Sequence, residues 1–444
     1  MYNTFIIYLN KIAIISVLFI LLPVVLGSIY SNDTLSSYLI SVLCFFFLTI
    51  ISAKLILGEQ NYIRFYSIVY IVEIILGLIH YIYFVDPHYF ATEGGPNGKF
   101  WHEYLSVFNS LERLNGLRDS VSVFYWMSQR EFQVTHAEIW HLISWPFFFL
   151  GNKWLNYSAL NAFSCLLTSM NILYLYHNSY FYENSIEKQV RYWTAFFPIF
   201  LLNDTVWRDS FGIALISIAI VLTSLSKNII EWIVSFFVFG IFSFLQRTVY
   251  FFLAGISSMW NYIGEIKNMS AKILLFVVGF IALYLLIITS DVNNEGYSSG
   301  YINSMSLFAL PIKIVFGMIG PFPWTLFPTL VERNPVFAWQ LQDYLMGTFQ
   351  FGYLLCIIFN WKTVSFRNLD VMTIMGFGMM LSGFLTRQLH IVYIAEGVIF
   401  TLPWFFSQFS TVYCRYFYYS LIILFALNIL LLITGNIGIA SMWH

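Results

Sequence analysis

Three arginines stand at the ends of long apolar stretches of the sequence. Arg208, Arg247 and Arg387 each lie where an apolar segment begins or ends. An arginine at full membrane depth costs about 2.5–3.5 kcal/mol, so something must offset that cost. Any one of them could reach the membrane surface or pair with a nearby carboxylate. A guanidinium also grips phosphate or carboxylate oxygens in two places, and three on one face of the membrane predict a bound anion.

The residues before Arg208 predict the start of a helix. Asn203, Asp204 and Thr205 are all good N-cap residues, and a helical run follows from Trp207. The free N–H groups and the positive end of such a helix favour phosphate. Asp209 follows directly. It could pair with an arginine or take part in catalysis, and the sequence leaves both roles open.

A group of histidines and carboxylates forms a second candidate site. Glu138 and His141 are three residues apart and share one face of a helix, and His136 lies just before them. A carboxylate oriented by histidine is suited to taking a proton from a hydroxyl. The same residues could instead cap a short helix at the membrane surface, and they are too few to predict a metal site. Asp86 is a further candidate carboxylate.

Composition places these residues in a membrane protein. Of the 444 residues, 59% are hydrophobic and only 10% are charged, whereas a soluble domain carries about 25% charged residues. Many apolar runs approach the 18 or more residues that span a bilayer. The formal net charge of -1, with no basic stripe, argues against a nucleic-acid partner. We expect no cofactor and no metal.

The distribution of lysine and arginine predicts a topology. If the short lysine-rich loops lie inside, the sequence predicts an all-α polytopic bundle of about 11–14 spans. The N-terminus is then inside and the C-terminus outside. The whole chain, residues 1–444, forms one membrane-embedded domain in this prediction. The predicted spans are 11–30, 36–57, 65–85, 155–177, 191–204, 208–226, 229–245, 248–264, 272–290, 338–360, 371–386, 389–406 and 417–435.

Two large loops lie on the outer side in this topology. The first, 86–136, contains amphipathic segments that are expected to rest on the membrane surface. The second, 291–337, contains a proline-rich segment, 307–328, which reads as a re-entrant or interfacial helix. Arginines outnumber lysines on this side. The further candidate binding residues there are Arg113, Arg118, Arg333 and His390, which lies three residues after Arg387.

Several short motifs resemble the bacterial O-antigen and capsule polymerases (Wzy-type). They are Phe197-Pro198, Trp207-Arg-Asp-Ser210, Phe244-Leu-Gln-Arg-Thr-Val-Tyr250, Gly320-Pro-Phe-Pro-Trp324, the late Arg387, and the segment from Leu150-Gly-Asn152 through Asn161. Most of the chain matches this family in organisation, although the shared residues are few.

The resemblance implies a glycosyltransferase of the bacterial inner membrane with its site facing the periplasm. Its substrate would be an undecaprenyl-diphosphate-linked oligosaccharide: a hydroxyl of one repeat unit attacks the anomeric carbon of the growing chain, and undecaprenyl diphosphate leaves. Arg208 and Arg247 would grip the diphosphate and Arg387 would assist. A chain-length regulator and a flippase are candidate protein partners. A general base among Glu138, His136 and Asp86 is our own inference.

Two other functions use similar parts. A membrane glycosyltransferase that takes one sugar from a polyprenyl-phosphate donor would place catalytic carboxylates in the first outer loop. Asp86 is the first residue of that loop. A flippase or transporter would place charged residues in mid-membrane and show repeat symmetry. The sequence shows no internal repeat, and Lys313 and Glu396 are the nearest to mid-membrane charges.

Overall fold

The computed structural model describes ten stretches of the chain. They are residues 4–27, 34–80, 154–179, 182–202, 207–246, 248–265, 310–319, 337–365, 369–385 and 391–434. Within these stretches the regular structure is helical, and no strand occurs. The all-α fold class predicted from the sequence is confirmed.

The helices in the described stretches are numbered in chain order. They are α1 Thr4–Gly27, α2 Thr34–Ile56, α3 Gln60–His80, α4 Trp154–His177, α5 Asn184–Leu202, α6 Trp207–Leu225, α7 Ile229–Gln246, α8 Thr248–Glu265, α9 Leu310–Ile319, α10 Phe337–Phe359, α11 Val371–Leu385, α12 Ile391–Phe409 and α13 Tyr413–Thr434.

These helices follow the predicted spans closely. Each of them except α9 overlaps one predicted span, and α9 lies inside the predicted proline-rich segment 307–328. The predicted span 272–290 and the first outer loop, 86–136, lie outside the described residues. Some helices start earlier than predicted, because basic residues that were assigned to loops lie within helices. Lys11, for example, lies in α1, where its Nζ donates to the carbonyl oxygen of Ile56 and lies 5.4 Å from the centre of the Tyr174 ring.

Five of the described helices are long and apolar enough to cross a membrane, judged by length and composition. A sixth span is possible if α12 and α13, which are bent by 115° at their junction, cross together. Four further helical segments are apolar but shorter: Asp209–Leu225, Tyr250–Trp260, Gly347–Phe359 and Val371–Phe384. The five long segments are Thr4–Leu26, Ser36–Ile56, Gln60–Leu78, Ser158–His177 and Ile229–Gln246.

Large apolar side chains point outward from these helices. Ile68 on α3 is 63% exposed, Ile230 on α7 is 71% exposed and Ile422 on α13 is 64% exposed. So much outward apolar surface is unfavourable in water and is suited to lipid tails. The protein is therefore a multi-pass membrane protein.

The described residues form two compact units. Unit 1 comprises Met1–Tyr174 and Leu202–Ile218. Among its long apolar segments, that of α4 is the most buried, at 89%. Aromatic rings fill the space beside α4: the ring centres of Phe19 and Phe211 are 5.1 Å apart, and those of Phe45 and Phe163 are 5.8 Å apart. The ring of Phe19 also lies 6.1 Å from that of Phe163.

Polar side chains also tie the helices of unit 1 to α4. Tyr8 donates a hydrogen bond to Asn171 at 2.9 Å, and Asn171 donates one to Ser217, also at 2.9 Å. The hydroxyls of Tyr66 and Ser169 lie 2.9 Å apart. Since lipid offers no hydrogen bonds, these buried groups are satisfied by one another.

Unit 2 comprises Leu175–Leu201 and Ala219–His444. Glycines allow its helices to approach closely. A Cβ on Gly376 of α11 would lie only 2.6 Å from the carbonyl oxygen of Gly397 on α12. Helix α12 also packs on α10: Tyr353 of α10 stacks on Phe405 at 4.1 Å, and its hydroxyl lies 2.8 Å from that of Thr401. Small residues of this kind are the usual means by which membrane helices pack tightly.

The close contact between α11 and α12 predicts opposite effects of two glycine substitutions. Gly376→Ala should destabilise unit 2 by about 1–3 kcal/mol, because the new methyl group meets backbone that cannot move aside. Gly255→Ala on α8 is the matched control, since a Cβ there meets nothing within 4 Å. It should be neutral or stabilise by about 0.5–1 kcal/mol. The midpoint of thermal unfolding in detergent measures both, and equal midpoints would contradict the packing.

Candidate functional site

Most of the side chains predicted for the site lie outside the described residues. Arg208 is the second residue of α6, where its backbone is described, and Asp209 is buried in the first turn of that helix. The helical run predicted from Trp207 onward is confirmed, and its predicted N-cap residues, Asn203, Asp204 and Thr205, lie outside the described residues. The predicted site residues outside the described stretches are Asp86, Arg113, Arg118, His136, Glu138, His141, Arg247, Arg333, Arg387 and His390.

The start of α6 is fixed against α4 within unit 1. The hydroxyl of Ser210 donates a 2.7 Å hydrogen bond to the side-chain oxygen of Asn161, and both residues are buried. Asp209 places an acidic residue in the first turn, where the helix dipole favours negative charge. The first turn of α6, which carries Arg208, is thus held by a buried polar contact.

Helices α7 and α8 form a tight antiparallel hairpin in unit 2. The indole N–H of Trp232 donates to the carbonyl oxygen of Ser258 at 3.2 Å. Nearer the turn, a Cβ on Gly240 would lie 3.1 Å from the ring of Phe251. The two helices are separated by a single residue, Arg247.

Helices α11 and α12 form a second antiparallel hairpin. Besides the contact of Gly376 with Gly397, Phe377 packs on Trp404 with ring centres 5.1 Å apart. Position 387 lies in the connection between Leu385 and Ile391.

Asp370 caps the far end of this second hairpin, because its carboxylate accepts a 2.7 Å hydrogen bond from the backbone N–H of Thr373. Burial raises the pKa of Asp370 above its ordinary value, and the hydrogen bonds with Thr373 act against that rise.

The two hairpins lie side by side with their turns at the same end. Helix α8 packs antiparallel to α11: Trp260 donates to the carbonyl oxygen of Leu369 at 2.7 Å, and Ser257 lies 3.8 Å from the sulfur of Met375. Further along, Gly378 packs on Leu253. The helix ends that flank positions 247 and 387 are therefore at one end of unit 2.

A buried carboxylate joins the hairpins close to that end. Glu396 on α12 is fully buried. Its Oε2 accepts a 2.6 Å hydrogen bond from the hydroxyl of Tyr250, and its Oε1 accepts a 3.2 Å hydrogen bond from the side-chain amide of Gln246. The residues immediately around position 247, on both sides, are thus anchored to a single side chain of α12.

The described part of the proline-rich segment reaches the same end of unit 2. In α9, a Cβ on Gly317 would lie 2.7 Å from the side chain of Ile394 and 2.8 Å from that of Phe384. These residues belong to the last turn of α11 and the first turns of α12. Helix α9 is therefore packed into unit 2 beside the hairpin turns.

This end of unit 2 is suited to binding an anion. Both α8 and α12 begin there, so two helix N-termini present their positive dipole ends together. One is preceded directly by Arg247, and the connection before the other contains Arg387 and His390. Within the described stretches, no three potential metal ligands gather at any point.

Several residues of the site were not predicted from the sequence. Gln246 and Tyr250 flank Arg247 at helical spacing, a signal that could have been read from the sequence once the hairpin was assumed. Glu396 was noticed only as a charge in an apolar segment, and its partners are far away along the chain. Outside this site, α3 of unit 1 contains a fully buried glutamate, Glu73, which was not predicted although it too stands in an apolar segment.

Comparison of the chain with known protein families, with curated proteins and with solved structures gives no match.

The hydrogen bonds of Glu396 to the hairpins predict which of two tyrosine substitutions lowers the stability of unit 2 more. Tyr250→Phe should cost about 1.5–3 kcal/mol, because a buried carboxylate loses a donor. Tyr353→Phe is the matched control: it removes an equally buried hydroxyl whose partner, Thr401, is neutral, and should cost about 0.5–1.5 kcal/mol. Thermal unfolding in detergent compares the two, and an equal or reversed order would contradict the proposed anchor.

Proposed function

We propose that the protein polymerises lipid-diphosphate-linked oligosaccharide units into a surface polysaccharide. One observation supports this proposal. Two hairpin turns and two helix N-termini lie together at one end of unit 2, close to the buried Glu396. The sequence places Arg247 and Arg387 in these two turns. A diphosphate at the membrane surface is the anion that this combination of guanidinium groups and helix ends fits best.

In the proposed reaction a sugar hydroxyl forms a bond to the anomeric carbon of the growing chain. The bond between that carbon and the diphosphate oxygen breaks, the lipid diphosphate takes the bonding electrons, and the hydroxyl proton passes to a base. Negative charge develops on the leaving diphosphate as this bond breaks. Fixed positive groups stabilise that charge more than they stabilise the ground state, which lowers the barrier.

Glu396 serves as a positioning residue in this proposal. It is fully buried, and both of its carboxylate oxygens accept hydrogen bonds. A carboxylate engaged in this way is poorly placed to take a proton from a sugar. By holding Gln246 and Tyr250, it fixes the turn between α7 and α8 and so restricts where the guanidinium of Arg247 can reach.

The general base is proposed among the carboxylates and histidines that the sequence places on the outer side, namely Asp86, His136, Glu138 and His141. Asp209 has a different role in this scheme: it is buried at the start of α6 and supports the orientation of that helix. The site would face the periplasm of a bacterial inner membrane, the side on which lipid-linked units are assembled. A flippase that delivers these units and a chain-length regulator are the proposed protein partners.

Substituting the turn arginines tests the proposal. Arg247→Ala and Arg387→Ala should each lower the rate of polymerisation by about 10²–10³-fold, as expected when one group that stabilises transition-state charge is removed. In cells whose own gene is deleted, each variant should reduce the polysaccharide ladder on a gel to a single repeat unit. Arg208→Ala tests in the same assay the role that the family resemblance gives to that residue.

Arg64→Ala is the matched control, because Arg64 is exposed near the start of α3 on the predicted inner side. Its ladder should equal that of the natural protein. An unchanged ladder in both turn variants would contradict the proposal. Accumulation of single units only on the inner side would indicate a flippase. Transfer of one sugar from a polyprenyl-phosphate donor to an acceptor by the purified protein would indicate the single-sugar transferase.

A further inference from the structure

Unit 1 contains a buried carboxyl group within a helix that is long and apolar enough to span a membrane. Glu73 lies in α3, within the apolar segment Gln60–Leu78, and is 1% exposed. It stands roughly 20 Å along the helix axis from Gln60, at 1.5 Å per residue. Leu78, the last residue of that segment, lies about 8 Å further along the axis, at 1.5 Å per residue. The low exposure shows that the carboxyl group is turned into the protein and away from the membrane surface.

The described groups that interact with Glu73 carry no positive charge to neutralise an ionised carboxylate. Among the described residues, those that interact electrostatically with Glu73 are Tyr70, one turn earlier on α3, and Cys165 on α4. Tyr38 and Cys44 of α2 interact in the same way with Tyr70. Tyr70 already donates its hydroxyl proton to the carbonyl oxygen of Val42 at 2.9 Å. Throughout the stretches that the structure describes, no donor reaches Oε1 of Glu73.

Physical chemistry then fixes the protonation state of Glu73. An ionised carboxylate without a partner in a low-dielectric interior is strongly unfavourable, and such a group takes up a proton instead. The contrast with Glu396 is direct, since both oxygens of that carboxylate accept hydrogen bonds. An apolar residue would fill the position of Glu73 without any such demand, so packing alone does not account for a carboxyl group there.

We propose that Glu73 is a proton-binding site in the interior of unit 1. Its carboxyl group carries a proton in the resting protein and exchanges that proton with water when the helices around it open. In this exchange the neutral acid releases one proton to water and becomes a carboxylate. It returns to the neutral acid by taking one proton back. This site is independent of the proposed polymerase chemistry.

A lipophilic carbodiimide provides the first test on the full-length protein in detergent micelles or vesicles. Dicyclohexylcarbodiimide reacts with a protonated carboxyl in an apolar setting: the acid proton moves to nitrogen, the carboxyl oxygen adds to the central carbon, and the adduct rearranges to a stable N-acylurea. Mass spectrometry should find this adduct on Glu73. Glu59, exposed one residue before α3, is the matched control and should react only with a water-soluble carbodiimide and an amine.

Infrared spectroscopy provides the second test and does not rely on reagent access. The natural protein should show the carbonyl band of a protonated carboxyl group, Glu73→Gln should lack that band, and transfer to D₂O should shift it. Glu73→Gln is a neutral side chain of the same shape, so its thermal unfolding midpoint in detergent should equal that of the natural protein.

Four results would overturn the proposal. They are a Glu73 that stays unlabelled by the lipophilic reagent, a band that persists in Glu73→Gln, a band that does not shift in D₂O, and protection of Glu73 from labelling by sodium or potassium ions at constant pH. The last result would indicate a metal cation in place of the proton.

Discussion

A polar side chain inside a bilayer has to find its hydrogen-bond partner within the protein, because lipid tails offer none. The two units of this chain depend on that constraint. In unit 1, Asn161 and Asn171 of α4 accept hydrogen bonds from Ser210 and Tyr8. Each such pair fixes both the rotation and the height of one helix against another, which apolar packing alone does not do. Polar pairs in an apolar chain therefore specify how its helices fit together.

In unit 2 the same constraint is combined with close backbone packing. The glycine contact between α11 and α12 brings the two helices together. The hydrogen bonds from Gln246 and Tyr250 to Glu396 then fix the α7–α8 turn against α12. Position 247 is thus bracketed by two anchored residues, and this is how a short connection in a membrane protein can hold a guanidinium group in a defined place. In the proposed function, the helices position the turns and the turns would carry the groups that bind the diphosphate.

The helices of this chain could be predicted well from its sequence, whereas the contacts between them could not. Apolar runs and the lysine-rich loops located the helices, because span length and interfacial charge are local properties. The start of α6 at Trp207 was likewise predicted from three N-cap residues. Helix ends near Lys11 were misplaced, since a lysine can lie within a helix and reach past its apolar neighbours.

The partners of Glu396 and the isolation of Glu73 depend on residues that are distant in sequence. Gln246 and Glu396 are 150 positions apart along the chain, and no local pattern encodes such a pair. Glu396 stands out in the sequence only as a charge in an apolar segment, and Glu73 was not among the predicted site residues. In both cases the residue type was informative, but its role depended on the helix that packs against it.

The two buried carboxyl groups show why burial alone does not assign a role. Glu396 has a hydroxyl and an amide as donors, and removal of either partner would leave a buried polar group unsatisfied. Such a side chain has a structural role, because its fixed position determines how the helices pack. Glu73 interacts electrostatically with Tyr70, whose hydroxyl proton is already donated to Val42, and with Cys165, whose thiol is only a weak donor. A carboxyl group so placed stabilises little in its resting form. It can still bind and release a proton, and this ability best explains why a glutamate occupies this buried position.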